Sequence, residues 1–234
     1  MTRDKIAPLF LCLLSMASLL TIFHIYDNYY INGDVYQSVR NGISVVHKIV
    51  DEGFFMGLKW SYWNRSWKGT ITSWATIPFL FADVEQALRT SAVVWSLIFT
   101  IYLYRCLLLC LPPWRAMVAT LFLATLGSVF SELTMPESYL LSMVGGVGFI
   151  VHLNLALRLR SFNHTAIAGL FAALGLMTRP AEILLLGAPS LLLLYFTGAE
   201  RKQLVQATGV ALGIAAVWWL PNFAQFYDYF AWVL

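Results

Sequence analysis

Ionisable side chains stand beside long apolar segments at three places in the sequence. Asp34 lies in the stretch NGDVYQSVRNG, Glu137 in SELTMPESYLL and Arg179 in LMTRPAEILLL. A carboxylate in such a position can act as a general base that takes a proton from an attacking nucleophile. The planar guanidinium group of an arginine can donate two parallel hydrogen bonds to a phosphate. These residue types therefore favour chemistry on a phosphate-bearing substrate at the edge of an apolar region.

Each of these residues also has a purely structural interpretation. Asp34 followed by Gln37 fits a capping box at the start of a helix. Glu137 suits the first turn of the next helix, where the helix dipole favours a carboxylate. Arg179 can extend its charge to the lipid headgroups or pair with Glu182. Spacing alone leaves these alternatives open.

The elements that position these residues have the composition of membrane helices. The chain of 234 residues is 59% hydrophobic and 12% charged, about half the charged share of an average soluble domain. Apolar runs near the ~20 residues needed to cross a bilayer recur along it. We predict an all-α polytopic membrane protein with about seven transmembrane helices, at roughly 6–26, 89–111, 114–131, 138–157, 164–178, 182–197 and 203–220.

The first apolar run and the loop charges predict the orientation. The run continues from Ile6 through Ile25, about 20 residues, which is long for a signal-peptide core and suits an uncleaved span. A cytoplasmic N-terminus places the basic residues near the span ends on the inner side, which is the positive-inside pattern: Arg3, Lys5, Arg105, Arg115, Arg158, Arg160, Arg201 and Lys202. All acidic residues except Asp4 and Glu200 then lie outside. This asymmetry predicts a functional site on the outer face, while the net charge of +3 gives no indication of nucleic-acid binding.

The first outer loop is predicted over about 27–88. Its first part places valine and isoleucine at helical spacing and polar residues on the opposite face. This pattern predicts an amphipathic helix over 34–52, lying in the membrane interface and ending at Gly53. Aromatic residues follow, among them Trp63 and Trp67. They suit either an interfacial aromatic belt or stacking on a sugar and contact with lipid headgroups.

The layout resembles the GT-C class of integral-membrane glycosyltransferases, which use polyprenyl-phosphate-linked sugars, as in mannosyl- and aminoarabinosyltransferases. The resemblance covers nearly all of residues 1–200. It comprises Asp34 at the start of the outer amphipathic helix, RSWKGTITSWATIPFLF before the second span, Glu137 ahead of the fourth and the Arg-Pro turn after the fifth. Val35 departs from the pattern, because many relatives carry a second acid there. Longer relatives also have further C-terminal helices and often a soluble domain.

The resemblance implies what the protein does and which residues do it. A single membrane module over 1–234 would transfer a hexose or pentose, with inversion, from a polyprenyl-phosphate donor to an acceptor glycan, lipid or protein outside. Asp34 would be the general base, Glu137 a second catalytic residue that positions the substrate, and Arg179 the ligand of the lipid phosphate. Further substrate-binding candidates are Glu132, Glu182, Trp63 and Trp67. The lipid-linked sugar is the only cofactor-like group implied, and no metal site is indicated.

The resemblance also implies a location, and two other functions stay open. The location is the bacterial inner membrane, or the endoplasmic reticulum membrane in a eukaryote. A lipid flippase or small transporter would place ionisable groups near the bilayer midplane and use broken helices in paired halves. A non-catalytic subunit of the same fold is favoured by the short chain. Separately, the further C-terminal parts of longer relatives are missing from this sequence, so a partner subunit would supply acceptor recognition.

Overall fold

The computed structural model describes residues 3–26, 33–63, 84–134, 138–178 and 201–220, together with Phe223 and Tyr227. Every regular element in these ranges is an α-helix, which confirms the prediction of an all-α protein for them. In chain order the helices are α1 (Arg3–Tyr26), α2 (Gly33–Glu52), α3 (Phe54–Trp63), α4 (Val84–Leu107), α5 (Pro113–Thr125), α6 (Gly127–Thr134), α7 (Ser138–Leu159), α8 (Phe162–Thr178) and α9 (Arg201–Trp219).

Three of these helices are long and apolar enough to cross a membrane. The qualifying segments are Arg3–Ile25 in α1, Arg89–Leu107 in α4 and Tyr139–Leu159 in α7. Helices α5 and α6 add a fourth if they are counted as one span. The chain thus has the helices of an all-α membrane protein, but the described ranges contain three or four candidate spans instead of the predicted seven. The span predicted over 182–197 lies outside those ranges.

Two helices at predicted spans fall short for simple physical reasons. Helix α8 has 17 residues, and at 1.5 Å per residue it is about 26 Å long, less than the ~30 Å hydrocarbon core of a bilayer. Helix α9 has 19 residues but begins with Arg201, Lys202 and Gln203. These polar residues leave only 204–219 as its mainly apolar part.

The predicted span 114–131 is two helices rather than one. Helix α5 begins at Pro113, where a proline is favoured because its missing N–H would be unpaired at that position anyway. Leu126 then adopts an extended backbone, with φ −57° and ψ 131°, which interrupts the helical hydrogen-bond ladder. Helix α6 starts at Gly127, and the two axes are bent by 76°. A single straight span over this region is therefore wrong.

Helix α4 lies at the centre of the first packed region. Its buried Phe99 and Leu103 share a core with side chains from α1, α5, α6 and α7, namely Met16, Ala124, Leu133, Leu140 and Val144. Each of these seven side chains is at most 9% exposed. This core gathers α1, α6 and α7 around α4 and determines which helix ends meet.

Helix α8 is held between α7 and α9 by small residues. A Cβ atom added to Gly145 of α7 would lie 2.8 Å from the backbone nitrogen of Gly175 and 2.8 Å from the carbonyl oxygen of Phe171. On its other side, a Cβ at Gly169 would lie 2.6 Å from Val210. Such close backbone approach is typical of helix packing in membranes, where small residues line the interfaces.

The amphipathic helix predicted over 34–52 is confirmed. Helix α2 covers Gly33–Glu52 with separate apolar and polar faces, within one residue of the predicted range. Gly53 ends it with φ +92°, a left-handed conformation that glycine adopts without a steric penalty. The apolar side chains at this corner are exposed, 76% for Val50 and 81% for Phe55, as expected for a helix that rests on a lipid surface.

Candidate functional site at the outer helix ends

The end of α1, the beginning of α4 and helix α6 meet at one place, called the outer end after the predicted orientation. Arg89 Nη1 of α4 donates a hydrogen bond of 2.6 Å to the backbone carbonyl of His24. The rings of Phe23 and Phe130 meet edge to face with centroids 5.7 Å apart. Ser96 Oγ donates to the carbonyl of Leu133 at 2.6 Å. These contacts place the C-terminal ends of α1 and α6 on the same side of the molecule.

The contact of Arg89 with α1 follows from the chemistry of helix ends. The last four carbonyl groups of a helix lack partners within the helix and carry partial negative charge. His24 belongs to this last turn of α1, which ends at Tyr26. A guanidinium group supplies both a donor and a positive charge there. Arg89, half-buried, therefore ties the start of α4 to the end of α1 and brings a cation to the outer end.

Asp34 lies at the second residue of α2, two residues after the position of a capping residue. The capping-box position predicted for it is therefore wrong, although a carboxylate in the first helical turn is still favoured by the dipole. The side chain of Asp34 lies outside the described part of the structure. Further along, α2 buries Asn41 and Val45, which are 8% and 1% exposed.

The other predicted site residues are described only in part. Glu132 lies in α6, half-buried and adjacent to Leu133, so it belongs to the outer end. Trp63 is the last residue of α3, with its side chain outside the described part. The remaining predicted residues fall outside the described ranges altogether: Glu137, Trp67, Arg179 and Glu182. The shared cavity predicted for Asp34, Glu137 and Arg179 stays a prediction.

A polar contact stabilises the corner between α2 and α3. Lys48 forms an ion pair with Glu52 one turn further along α2. The same ammonium group lies 5.4 Å from the centroid of the Trp60 ring, a cation–π geometry. Lys48 thus links the end of α2 to α3 and leaves the apolar side of the corner exposed.

Sequence reasoning missed His24 and Arg89. Arg89 is a basic residue at the outer end of a predicted span, where the positive-inside pattern gives no reason for one. A basic residue on the side where the pattern expects none was a signal in the sequence that could have identified Arg89. Nothing in the sequence indicated that Arg89 would contact a carbonyl 65 residues away.

The outer end holds no cluster of metal-ligating side chains among the described residues. No three His, Cys, Asp or Glu side chains in the described ranges come close enough to hold a metal ion. An open groove of about 540 Å³ runs along α5 instead, starting from its inner end. It is apolar apart from Arg115, and its exposed Trp114, Val118 and Phe122 suit contact with lipid.

Comparisons with models of known protein families, with curated proteins and with solved structures give no match. The sequence pattern and the arrangement of the helix ends therefore remain the grounds for proposing a class of protein.

Proposed function

We propose that the protein is a glycosyltransferase that uses a lipid-phosphate-linked sugar on the outer face of the membrane. The observation that supports this most directly is the meeting of α1, α4 and α6 at the outer end. The amphipathic helix with Asp34 starts a few residues after α1, and Glu137 follows a few residues after α6. Arg89 adds a cation beside the end of α1. A base and a phosphate ligand at one membrane face are what such a transfer needs.

The proposed reaction is a single displacement. Asp34 accepts the proton of the acceptor nucleophile as that nucleophile attacks the anomeric carbon. The bond between this carbon and the phosphate oxygen breaks, and the lipid phosphate leaves on the opposite face of the sugar, so the configuration inverts. Arg179, with Arg89 beside the end of α1, stabilises the charge that grows on the phosphate. Side chains that position the sugar and acceptor in this proposal are Glu137, Glu132, Glu182, Trp63 and Trp67.

The membrane arrangement in this proposal has the N-terminus inside, with α1, α4 and α7 as spans and α5 and α6 together as a broken one. The amphipathic helix α2 would lie at the outer surface and shape the entrance for the lipid. The donor lipid carrier and the membrane are the partners, and the acceptor is a glycan, lipid or protein.

A lipid flippase is the second candidate, and one observation favours it. The bend of 76° between α5 and α6 makes a broken span or re-entrant segment, a feature of transporters that bind substrates at interrupted helices. Proteoliposomes separate the two functions. A flippase would move a lipid-linked sugar between leaflets without cleaving it, whereas the proposed enzyme releases lipid phosphate and glycosylated acceptor.

Loss of Arg179 should weaken binding of polyprenyl phosphate by about 10- to 100-fold, because a hydrogen bond to a charged group contributes about 1.5–3 kcal/mol. We expect a comparable loss for Arg89→Lys, which keeps the charge but not the planar pair of donors. Both losses can be measured as the affinity of the protein, in nanodiscs, for polyprenyl phosphate that carries no sugar. Arg115→Ala, an exposed arginine at the inner end, is the matched control and should bind normally. Unchanged affinity in Arg179→Ala would remove this residue from the site.

Cysteine labelling tests the proposed orientation. Cys110 is an exposed free thiol in the turn between α4 and α5, which the proposal places inside. A membrane-impermeant maleimide should label it in inverted vesicles and not in intact cells. Asp51→Cys, exposed near the end of α2, should show the opposite pattern in a variant whose Cys110 is replaced by serine. Labelling of Cys110 from outside would reverse the orientation and move the proposed site to the cytoplasm.

A further inference from the structure

A chain of three polar side chains connects α4, α7 and α8 at the inner end, away from the candidate site. Tyr102 Oη lies 3.2 Å from His152 Nε2, and His152 Nδ1 lies 3.1 Å from His164 Nδ1. His152 is 6% exposed. The ring of Phe171 stacks on it at 15°, with centroids 5.6 Å apart. Ionisable residues buried between membrane helices are costly, which makes them functional candidates.

The geometry limits how many protons the two histidines can share. In the neutral pair one Nδ1 carries a hydrogen and donates it to the other Nδ1, while Tyr102 completes the chain at Nε2 of His152. One added proton fits without loss of a hydrogen bond. His152 then carries hydrogens on both nitrogens and donates to Tyr102 and to His164.

A second added proton does not fit. It would have to reside on His164 Nδ1, which already accepts the hydrogen of His152. Two N–H groups would then point at each other across 3.1 Å, so the contact between α7 and α8 must break. Two positive rings with centroids 5.4 Å apart also repel each other.

The charged groups in the described ranges do not compensate this repulsion. On α4 the charged residue at this end is Arg105. On α7 the charged residue at this end is Arg158, and on α9 the charged residues are Arg201 and Lys202, all three exposed. Within the described ranges of α4, α7, α8 and α9 the only acidic residue is Glu85, at the opposite end of α4.

We propose that His152 and His164 form a proton-operated clamp, which holds the inner ends of α4, α7 and α8 together with up to one added proton and opens when the second arrives. His164 gives the clamp access to water, because it is half-buried and lies in the first turn of α8. The clamp senses the pH of the aqueous phase at this end of the helices. It stands on its own contacts and does not depend on the proposed sugar transfer.

Thermal unfolding of the full chain in detergent tests the clamp. The second proton breaks the contact between α7 and α8 in the folded protein but breaks no such contact in the unfolded chain, so stability falls with falling pH. When the pH is lowered from about 8 to about 4.5, the midpoint temperature of unfolding should fall about 5 °C further in the wild type than in His164→Gln. The matched control is His47→Gln, which replaces an exposed histidine on α2. Its midpoint temperature should fall by as much as that of the wild type. Equal falls in wild type and His164→Gln would overturn the proposal.

Nitrogen NMR of ¹⁵N-histidine-labelled protein gives a second measurement that does not depend on a variant folding. The chain has four histidines, so each signal can be assigned. We expect the signals of His152 and His164 to change together, in two separated steps, with the second step accompanied by loss of the Nδ1–Nδ1 coupling. Independent single-step titration of each histidine would show that no proton is shared between them and would overturn the clamp.

Discussion

Replacement of Asp34 by asparagine should lower sugar transfer by about 10²- to 10⁴-fold, the usual contribution of a general base. The amide has nearly the shape of the carboxylate and keeps the start of α2 intact, but it cannot accept the proton of the acceptor nucleophile. The assay incubates the purified protein with a panel of polyprenyl-phosphate hexoses and pentoses. The rate at which lipid phosphate is released measures sugar transfer. Donor binding should be retained, because the donor phosphate is assigned to the arginines.

The matched control for this variant is Asp51→Asn. Asp51 lies near the other end of α2 and is exposed, so the control makes the same chemical change on the same helix. We expect it to transfer sugar at the wild-type rate. If Asp34→Asn keeps full activity, Asp34 has no catalytic role. If no donor in the panel is consumed by the wild type, the enzyme proposal itself fails.

Gly145→Ala should destabilise the folded protein by about 1–3 kcal/mol, as expected for overpacking of a closely packed interface. The added methyl group would lie 2.8 Å from the backbone nitrogen of Gly175 and from the carbonyl oxygen of Phe171. Neither backbone atom can move without shifting α8. Helices α7 and α8 must therefore separate. The loss of stability should be larger still in Gly145→Val.

Gly146→Ala is the control, because a Cβ added at this neighbouring glycine meets nothing within 4 Å. It makes the same change in the same turn of α7 and should be neutral or slightly stabilising. Unfolding of both variants in detergent, followed by circular dichroism, compares them directly. Equal stability of the two variants would mean that α7 and α8 are not packed through Gly145.

The proposed catalytic site and the proposed clamp lie at opposite ends of the same group of helices. The proposed chemistry needs the outer ends of α1, α4 and α6 to stay together, and these ends depend on the core around Phe99 and Leu103. The proposed clamp acts at the inner ends of α4, α7 and α8. Because α4 and α7 belong to both regions, opening the clamp offers a route by which pH could alter the outer end. The rate of sugar transfer in His164→Gln as a function of pH would measure this coupling.

Local pattern explains why some elements were predictable. The period of apolar residues in α2 is a property of consecutive side chains, so both its amphipathic character and its end at Gly53 could be read before any fold was known. The length and apolar character of α1 likewise gave its span. The break at Leu126 was missed, because an apolar run looks the same whether its backbone is continuous or interrupted.

The candidate site was predictable only in its residue types. Acids and an arginine beside apolar segments indicated the chemistry, and the resemblance to membrane glycosyltransferases indicated which of them to choose. Arg89 was overlooked, since its contact depends on α1 and α4 packing with opposite directions. Glu132 could be placed at the same end as Arg89 only after the contact between Ser96 and Leu133 was known.

Membrane character, helical class and the amphipathic outer helix follow from composition and periodicity, because the bilayer and the helix act on each segment separately. Packing decides which helix ends meet, which helix is broken and which histidines share a proton. His152 and His164 stand on different helices, and the packing of α7 against α8 brings their Nδ1 atoms to 3.1 Å. Contacts of this kind depend on the shapes of two faces at once, and a linear pattern carries no record of which faces will meet.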